Sequence, residues 1–226
     1  MQGWTAYLAA GLALVLSHAA LSAPGVRPWL YARLGRIAFY ILYTVISTAA
    51  LAAFVLAYRA ADAGPQLFVA AGPARLFAVA MMPIAFIGVV ARLSTRSQRG
   101  GALLPPSGIY RITRAPGSLA IVLWAGLHML NMGDAKRFTG FAVMALIAVA
   151  AIVKNEIVLA RSDDPSAETW RRHTRLLPTM ALDKKRAMQA LGEIGWSRLA
   201  GGLVAYAAVL ALHPSAFGLD PLAGLF

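Results

Sequence analysis

The sequence has no cysteine and few charged residues, and each absence excludes classes of protein. With no cysteine among its 226 residues, the chain has no disulfide, thiolate nucleophile, zinc–thiolate site or iron–sulfur cluster. Charged residues make up 13% of the chain and hydrophobic residues 59%, whereas soluble globular domains have about 25% and about 45–50%. A soluble fold of this length cannot bury so much apolar surface, and the composition also excludes disorder and a coiled coil.

Common catalytic signatures are missing as well. The chain has no Walker phosphate-binding loop, no Gly-x-Ser-x-Gly, no His-Glu-x-x-His and no EF-hand loop. No Ser–His–Asp arrangement follows from the residue spacing either. The residues therefore leave open whether this protein is an enzyme.

Long apolar stretches are present instead, and each supplies close to the ~20 residues that a helix needs to cross a bilayer core of about 30 Å. The pattern predicts an all-α fold, a polytopic integral membrane helix bundle with about six transmembrane helices. We expect one membrane domain over residues 1–226, in contact with the lipid bilayer. The six predicted spans are Gly3–Ser22, Ala38–Tyr58, Leu76–Leu93, Gly117–Met132, Phe138–Ala160 and Leu199–Phe217.

The basic residues are distributed unevenly between alternate loops. Of the 21 lysines and arginines, 16 belong to the loops after the first, third and fifth predicted spans, and 4 to the other side. Because cytoplasmic loops carry an excess of Lys and Arg, this predicts that the basic loops are cytoplasmic and that both termini lie on the other side of the membrane. The same distribution accounts for the net charge of +12 without a nucleic-acid partner.

The cytoplasmic segment 161–197 is the part most like a soluble protein. Asp164 followed by Pro165 is typical of a helix start, and one face of that helix holds Trp170, Thr174 and Leu177. With its many basic residues, the segment is expected to lie along the anionic inner leaflet as interfacial helices. A solvated connector is the alternative.

A second short helix is predicted within the same segment. Asp183 is a residue type that caps helix starts, and Gly192 is one that ends helices. The predicted helix between them is Lys184–Leu191.

Polar residues inside spans are costly in lipid and are the first functional candidates. His18 lies in the first predicted span and His128 in the fourth. Neutral imidazoles on facing helices ligate metals or both faces of a haem iron, or simply hydrogen-bond a neighbouring helix. Asn131 and Asp134 follow His128 closely, and Asn131 shares its helix face if the helix continues.

A second candidate is a polar or anion-binding site at the start of the fourth span. Arg111 and Arg114 could hold a carboxylate or phosphate, or they could anchor the span at the membrane surface together with Tyr110. Glu156 lies near the end of the fifth predicted span, where an unpaired carboxylate is expensive. We therefore expect Glu156 to pair with the Tyr110–Arg114 segment or with Lys154.

Matches in order along nearly the whole chain make it resemble the NnrU family of bacterial membrane proteins. The family is named for an association with denitrification and nitric-oxide metabolism, so the resemblance implies a role in nitrogen-oxide metabolism. The residues that carry the resemblance are Ser17-His18, Ala23-Pro24-Gly25-Val26-Arg27, Leu34-Gly35, Leu42-Tyr43, Leu123-Trp124-Ala125, His128, Asn131-x-Gly133-Asp134, Pro178, Thr179, Glu193-Ile194-Gly195-Trp196, Leu212-His213-Pro214 and Phe217-Gly218.

NnrU proteins are similar to plant zeta-carotene isomerase, a membrane enzyme with haem b held by two histidines. The resemblance therefore implies haem b as cofactor, with His18 and His128 as iron ligands. It also implies a small lipophilic or gaseous ligand. The helix positions, however, place the two histidines roughly 10–15 Å apart in depth at 1.5 Å per residue.

The segment Gly108–Gly117 resembles the S-adenosylmethionine site of isoprenylcysteine-type membrane methyltransferases. Ala115 stands where that pattern has a histidine, and the second carboxylate after Glu156 is missing. The alternatives to an NnrU-type role are thus a haem-dependent polyene isomerase, a degenerate methyltransferase-like protein and a non-catalytic accessory or transport protein.

Overall fold

The computed structural model describes residues 2–99, 102–178, 184–223 and 225. These residues are mainly helical, with one pair of two-residue antiparallel strands, β1 and β2. The elements in chain order are α1 (Trp4–Leu21), α2 (Val26–Ala60), α3 (Gly72–Ser94), β1 (Gln98–Arg99), β2 (Ala102–Leu103), α4 (Ile109–Ile112), α5 (Pro116–Met129), α6 (Ala135–Ala160), α7 (Pro165–His173), α8 (Lys184–Ile194) and α9 (Trp196–Phe217).

Among the described residues, five helices are long and apolar enough to cross a membrane, namely α1, α2, α3, α6 and α9. Only 6% to 22% of the residues in their most apolar stretches are buried within the protein, so most of that apolar surface faces outward, as it does in lipid. The predicted all-α membrane fold is confirmed. The predicted span Gly117–Met132 corresponds to α5, whose 14 residues reach only about 21 Å.

Helix α2 is longer than predicted and is broken near its start. It has 35 residues, and Gly35 within it has φ 75° and ψ 163°. This backbone conformation is strained for any residue with a Cβ, which is why glycine stands there. The predicted span Ala38–Tyr58 is the part after the break, and the residues before it form a separate helical segment.

The contacts between residues divide the chain into two compact units. Unit 1 consists of Met1–Ala70 and His128–Val158, and unit 2 of Ala71–Leu127 and Leu159–Phe226. Each unit is described by itself below. The prediction of one domain over residues 1–226 stays a prediction.

Unit 1 packs α1, α2 and α6 around Tyr7, which is fully buried. The Tyr7 ring stacks on Phe54 at 5.2 Å, and its hydroxyl donates to the Lys136 carbonyl at 3.0 Å. The loop after α2 pairs with the residues before α6 through an antiparallel bridge between Gln66 and Asp134. These two loops therefore lie at the same end of unit 1, as alternate loops of a membrane bundle must.

Unit 2 is built on close packing between α3 and α9. A Cβ on Gly202 would lie 2.6 Å from the Ile87 Cα, so the two backbones approach as closely as small residues allow. The Tyr206 hydroxyl donates to the Val79 carbonyl at 2.8 Å. A tyrosine hydroxyl inside an apolar span is thus satisfied by the neighbouring helix.

The short helices α7 and α8 also belong to unit 2, and their predicted position along the inner leaflet stays a prediction. Asp164 caps α7 as predicted, because its carboxylate accepts from the Ser166 N–H at 2.8 Å. Trp170 and Thr174 are buried, but Leu177 is 60% exposed. The shared face predicted for these three residues is therefore wrong at Leu177, because α7 ends at His173 and the helical period does not continue.

Helix α8 is longer than predicted. It runs through Gly192 to Ile194, and the chain turns at Gly195, where φ is 79°. The positive φ at Gly195 explains why this glycine, rather than Gly192, ends the helix. The predicted cap Asp183 and the family match Thr179 lie outside the described residues.

Candidate functional site

His18 lies in the last turn of α1, half buried, with its ring centroid 6.0 Å from that of Tyr43 in an edge-to-face arrangement. Its Nδ1 is 3.0 Å from the Leu14 carbonyl oxygen. A carbonyl only accepts, so Nδ1 carries the proton and donates, and the lone pair is on Nε2. This arrangement is the one that orients a metal-ligating histidine, in which the second nitrogen donates to a carbonyl.

His128 lies near the end of α5 in unit 1, and its ring stacks on Phe141 of α6 with centroids 4.4 Å apart. Its carbonyl accepts from the Asn131 N–H at 2.9 Å. Helix α5 therefore ends in a turn directly after His128, and the predicted helix face shared with Asn131 is not formed.

Contacts between α1 and α6 show how far apart the two histidines lie along the helix axes. The two helices run side by side in the same direction. The Cβ position of Gly140 is 3.0 Å from the Tyr7 hydroxyl, and that of Gly11 is 3.1 Å from the Val143 side chain. Phe141 therefore lies at the same level as the position in α1 that precedes His18 by about nine to ten residues. At 1.5 Å per residue, the two imidazoles differ in level by about 14 Å.

This difference in level is a test of a shared haem iron. Two metal–nitrogen bonds of about 2 Å each place axial nitrogens about 4 Å apart, and a difference of about 14 Å exceeds what side-chain rotation supplies. Ligation of one iron by both histidines does not fit this spacing, whereas ligation by one histidine fits His18. Haem binding itself stays a prediction. Within the described ranges, no three His, Asp or Glu side chains form a group that could hold a metal ion.

The residues after His128 have a structural role. A Cβ on Gly133 would overlap the Phe68 carbonyl oxygen, and the Gly133 carbonyl accepts from the Leu67 N–H at 2.7 Å. Asp134 caps α6 by accepting from the Arg137 N–H at 2.9 Å and pairs with the Arg137 guanidinium. These contacts give Gly133 and Asp134 of the Asn131-x-Gly133-Asp134 pattern a structural role.

The same end of unit 1 holds a carboxylate that the sequence did not single out. Asp62 accepts from Trp4 Nε1 at 2.6 Å and from the Gln2 N–H at 2.9 Å. The hydrogen bond from Trp4, with a smaller contribution from Gln2, lowers the pKa of the Asp62 carboxyl below its usual value. We call these residues, with Gly133 and Lys136, the Asp62 end.

In unit 2, Tyr110 and Arg111 lie on the short helix α4. Tyr110 is buried, with its ring 5.3 Å from Trp170 and the Arg92 guanidinium over its face. Arg111 Nε donates to Glu193 at 2.6 Å. Arg111 is thus paired with a carboxylate of the chain, Glu193 of α8, a partner that the sequence did not predict.

Glu193 was missed as a site residue because it stands among charged residues of an amphipathic helix. Its Oε2 also accepts from the Gly108 N–H at 2.8 Å, and Gln189 donates to its other oxygen. The hydrogen bond from Arg111 is the main reason why the pKa of the Glu193 carboxyl is lowered. The sequence did offer a signal for Glu193: it stands four residues after Gln189, within reach on a helix, and it is the first residue of the family match Glu193-Ile194-Gly195-Trp196.

Two further site predictions have different outcomes. Arg114 joins its segment to the chain after α7, because its N–H donates to the Arg175 carbonyl at 2.8 Å. Glu156 lies half buried on α6 in unit 1, and its predicted pairing with the Tyr110–Arg114 segment stays a prediction.

The fold and these contacts define a multi-pass helical membrane protein with a histidine-bearing unit and a second unit that contains two short amphipathic helices. The family model described as "NnrU protein" matches residues 7–221. The chain therefore belongs to the NnrU family. A comparison with curated proteins and one with solved structures each found no match.

Proposed function

We propose that this NnrU-family protein works in nitrogen-oxide metabolism and that His18 holds haem b as its single protein ligand. The observation that carries the proposal is the hydrogen bond from His18 Nδ1 to the Leu14 carbonyl, which leaves Nε2 as the ligating nitrogen. The association of the NnrU family with denitrification and nitric-oxide metabolism supports the cellular role.

A single histidine suits a gaseous ligand better than two. Haem iron held by one proximal histidine keeps a position at which a small gas can bind, and that is the chemistry the group would supply here. The chain's own contribution is to orient the imidazole through Leu14 and to pack it beside Tyr43. His128, about 14 Å away in level, is then not an iron ligand.

We also propose a bacterial inner membrane location with both termini in the periplasm. The support is the 16-to-4 distribution of basic residues between alternate loops. On this topology His18 lies near the cytoplasmic end of α1, and the Asp62 end faces the periplasm.

An absorption spectrum of the detergent-purified protein, oxidised and reduced, tests the haem proposal. We expect a Soret band typical of five-coordinate haem that shifts when nitric oxide is added. His18→Ala should remove the band, while His128→Ala should keep it. His173→Ala is the matched control, because this histidine lies on the short helix α7 and its ring bonds to the Thr169 carbonyl.

Other outcomes decide against the proposal in distinct ways. A low-spin spectrum lost in both His18→Ala and His128→Ala would establish paired ligation as in the plant isomerase. A colourless protein that stays colourless after haem is added would favour the accessory or transport role. An unchanged spectrum in His18→Ala would remove His18 as the ligand.

A further inference from the structure

The first part of α2 carries a group of arginines and aromatic residues that the proposed haem site does not use. Cation–π contacts place the Arg33 guanidinium 5.3 Å from the Trp29 ring and that of Arg36 5.8 Å from the Tyr40 ring. We call this group the Arg27 patch, and it consists of Arg27, Trp29, Tyr31, Arg33, Arg36 and Tyr40.

The break at Gly35 brings the patch together. Arg27 Nη2 donates to the Tyr40 hydroxyl at 3.1 Å, although 13 residues separate them. In a straight helix these residues would be about 20 Å apart along the axis. The chain therefore bends sharply at Gly35, and the helical segment before the bend folds towards the start of the membrane-spanning part of α2.

Arg27 is fixed by neutral groups. Its Nε and Nη2 donate to the Tyr31 hydroxyl at 2.9 and 2.7 Å. These contacts and the one to Tyr40 use the N–H groups of Nε and Nη2, so the described contacts leave those of Nη1 to donate elsewhere. Tyrosine hydroxyls orient the guanidinium but do not neutralise its charge.

The patch concentrates positive charge without a carboxylate. Within residues 2–99, 102–178 and 184–223, no Asp or Glu forms an ion pair with Arg27, Arg33 or Arg36. Lys154 of α6 lies close enough to Arg27 for their charges to repel. Four cations at one end of unit 1 thus lack an anion from the described part of the chain.

The surroundings of these cations are apolar and exposed. Trp29 is 56% exposed, and Ile37, two residues after the bend, is 78% exposed. Tryptophan is enriched at the headgroup level of membranes, and an exposed aliphatic side chain beside it suits the acyl region. The patch therefore joins a cationic surface to a lipid-facing one at the place where α2 enters the membrane.

We propose that the Arg27 patch binds the phosphate headgroup of an anionic phospholipid. The guanidinium of Arg27, held by Tyr31 and Tyr40, donates through Nη1 to a phosphate oxygen. Such charge-assisted hydrogen bonds are among the strongest that arginine forms. Arg36 and Lys154 add attraction, and Trp29 and Ile37 contact the lipid chains. This inference goes beyond the haem proposal and does not depend on it.

Native mass spectrometry of the full chain in neutral detergent tests the proposal, with phosphatidylglycerol or phosphatidylcholine added. We expect the wild type to retain phosphatidylglycerol in preference to phosphatidylcholine. Arg27→Gln with Arg36→Gln should lower the apparent affinity for phosphatidylglycerol about tenfold or more, since the variant loses a charge-assisted hydrogen bond and two positive charges. Arg59→Gln is the matched control, an exposed arginine at the opposite end of α2.

A second variant separates charge from geometry. Tyr31→Phe with Tyr40→Phe keeps every cation but removes the hydroxyls that orient Arg27, so we expect a smaller loss, about fivefold. Circular dichroism and the unfolding midpoint in neutral detergent report whether each variant is folded. His18→Ala should bind phosphatidylglycerol as the wild type does, which keeps this test separate from that of haem binding.

Three results would overturn the proposal. Equal retention of phosphatidylglycerol by the wild type and a folded Arg27→Gln/Arg36→Gln variant would show that the lipid binds elsewhere. Displacement of the lipid by an equal concentration of glycerol 3-phosphate would indicate a pocket for small anions. Equal binding of phosphatidylglycerol and phosphatidylcholine would show that the headgroup charge is not recognised.

Discussion

The two ends of unit 1 are made by the same helices but treat charged groups in opposite ways. At the Asp62 end, Asp62 accepts from Trp4, and the Lys136 ammonium donates to the Ala61 carbonyl at 2.6 Å. At the Arg27 patch, the arginine contacts are tyrosine hydroxyls and aromatic faces. The Asp62 end is thus closed by hydrogen bonds to a carboxylate and a carbonyl, while the arginines of the Arg27 patch have no carboxylate partner among the described residues.

We expect the largest loss of stability from a substitution at Gly133 of the Asp62 end. Gly133→Val adds a branched side chain where the Phe68 carbonyl already lies against the backbone, so the loop after α2 must move. We expect the free energy of unfolding to fall by about 3 kcal/mol, the upper range for overpacking. Chemical unfolding in detergent, followed by circular dichroism, measures it.

The matched control for this substitution lies at the other end of unit 1. Gly25 has φ −86° and no atom near the position of a Cβ, so Gly25→Ala should change stability by less than about 1 kcal/mol. Equal losses in the two variants would contradict the assignment of Gly133 to a close backbone contact.

The stabilisation that the Asp62 end gives the fold should also depend on pH, through the charge of the Asp62 carboxylate. Because the pKa of Asp62 is lowered in the folded protein, the carboxylate stabilises the fold at pH above its unfolded pKa of about 3.9. This stabilisation is lost as the pH falls through the folded pKa. Asp62→Asn should therefore lower the unfolding midpoint at neutral pH, and the difference from the wild type should shrink on acidification.

Unfolding midpoints of both proteins across the acid range measure this effect. Asp163→Asn is a control, because Asp163 is an exposed carboxylate just before α7 in unit 2. A difference between wild type and Asp62→Asn that stays constant with pH would mean that the Trp4 contact does not act through the charge of Asp62.

Substitutions in the Arg27 patch should have the smallest effect on the stability of the protein. Arg27→Gln removes contacts to two tyrosine hydroxyls at a partly exposed site, and we expect the free energy of unfolding in uncharged detergent to change by less than about 1 kcal/mol. A loss of several kcal/mol would make the patch a structural cluster, and the contrast between the two ends would fail.

Local patterns were enough to predict several features of this fold. The apolar runs predicted four of the five long helices within a few residues, and Asp164-Pro165 predicted the start of α7. These features depend on the local sequence and on hydrogen bonds within one helix. The start of α2 was missed because its first segment is polar, and α5 was overestimated because the turn after His128 ends it.

The candidate site was harder to predict because it depends on contacts between distant residues. Arg111 and Glu193 are 82 residues apart, and Trp4 and Asp62 are 58 apart. No local pattern specifies such pairs, since the partner is selected by the helices that meet. For the same reason, the sequence identified the two histidines but did not establish which of them a ligand would use.

The sequence by itself determined the class of protein, because a chain that is 59% hydrophobic without cysteine is stable only if its helices face lipid. It did not predict the bend of α2, although the φ of 75° at that bend favours the glycine found at position 35. Only the tertiary structure decided that His128 stacks on Phe141 and that Trp4 donates to Asp62. Those features depend on how α1, α2 and α6 pack, and packing is a property of surfaces that meet after each helix has formed.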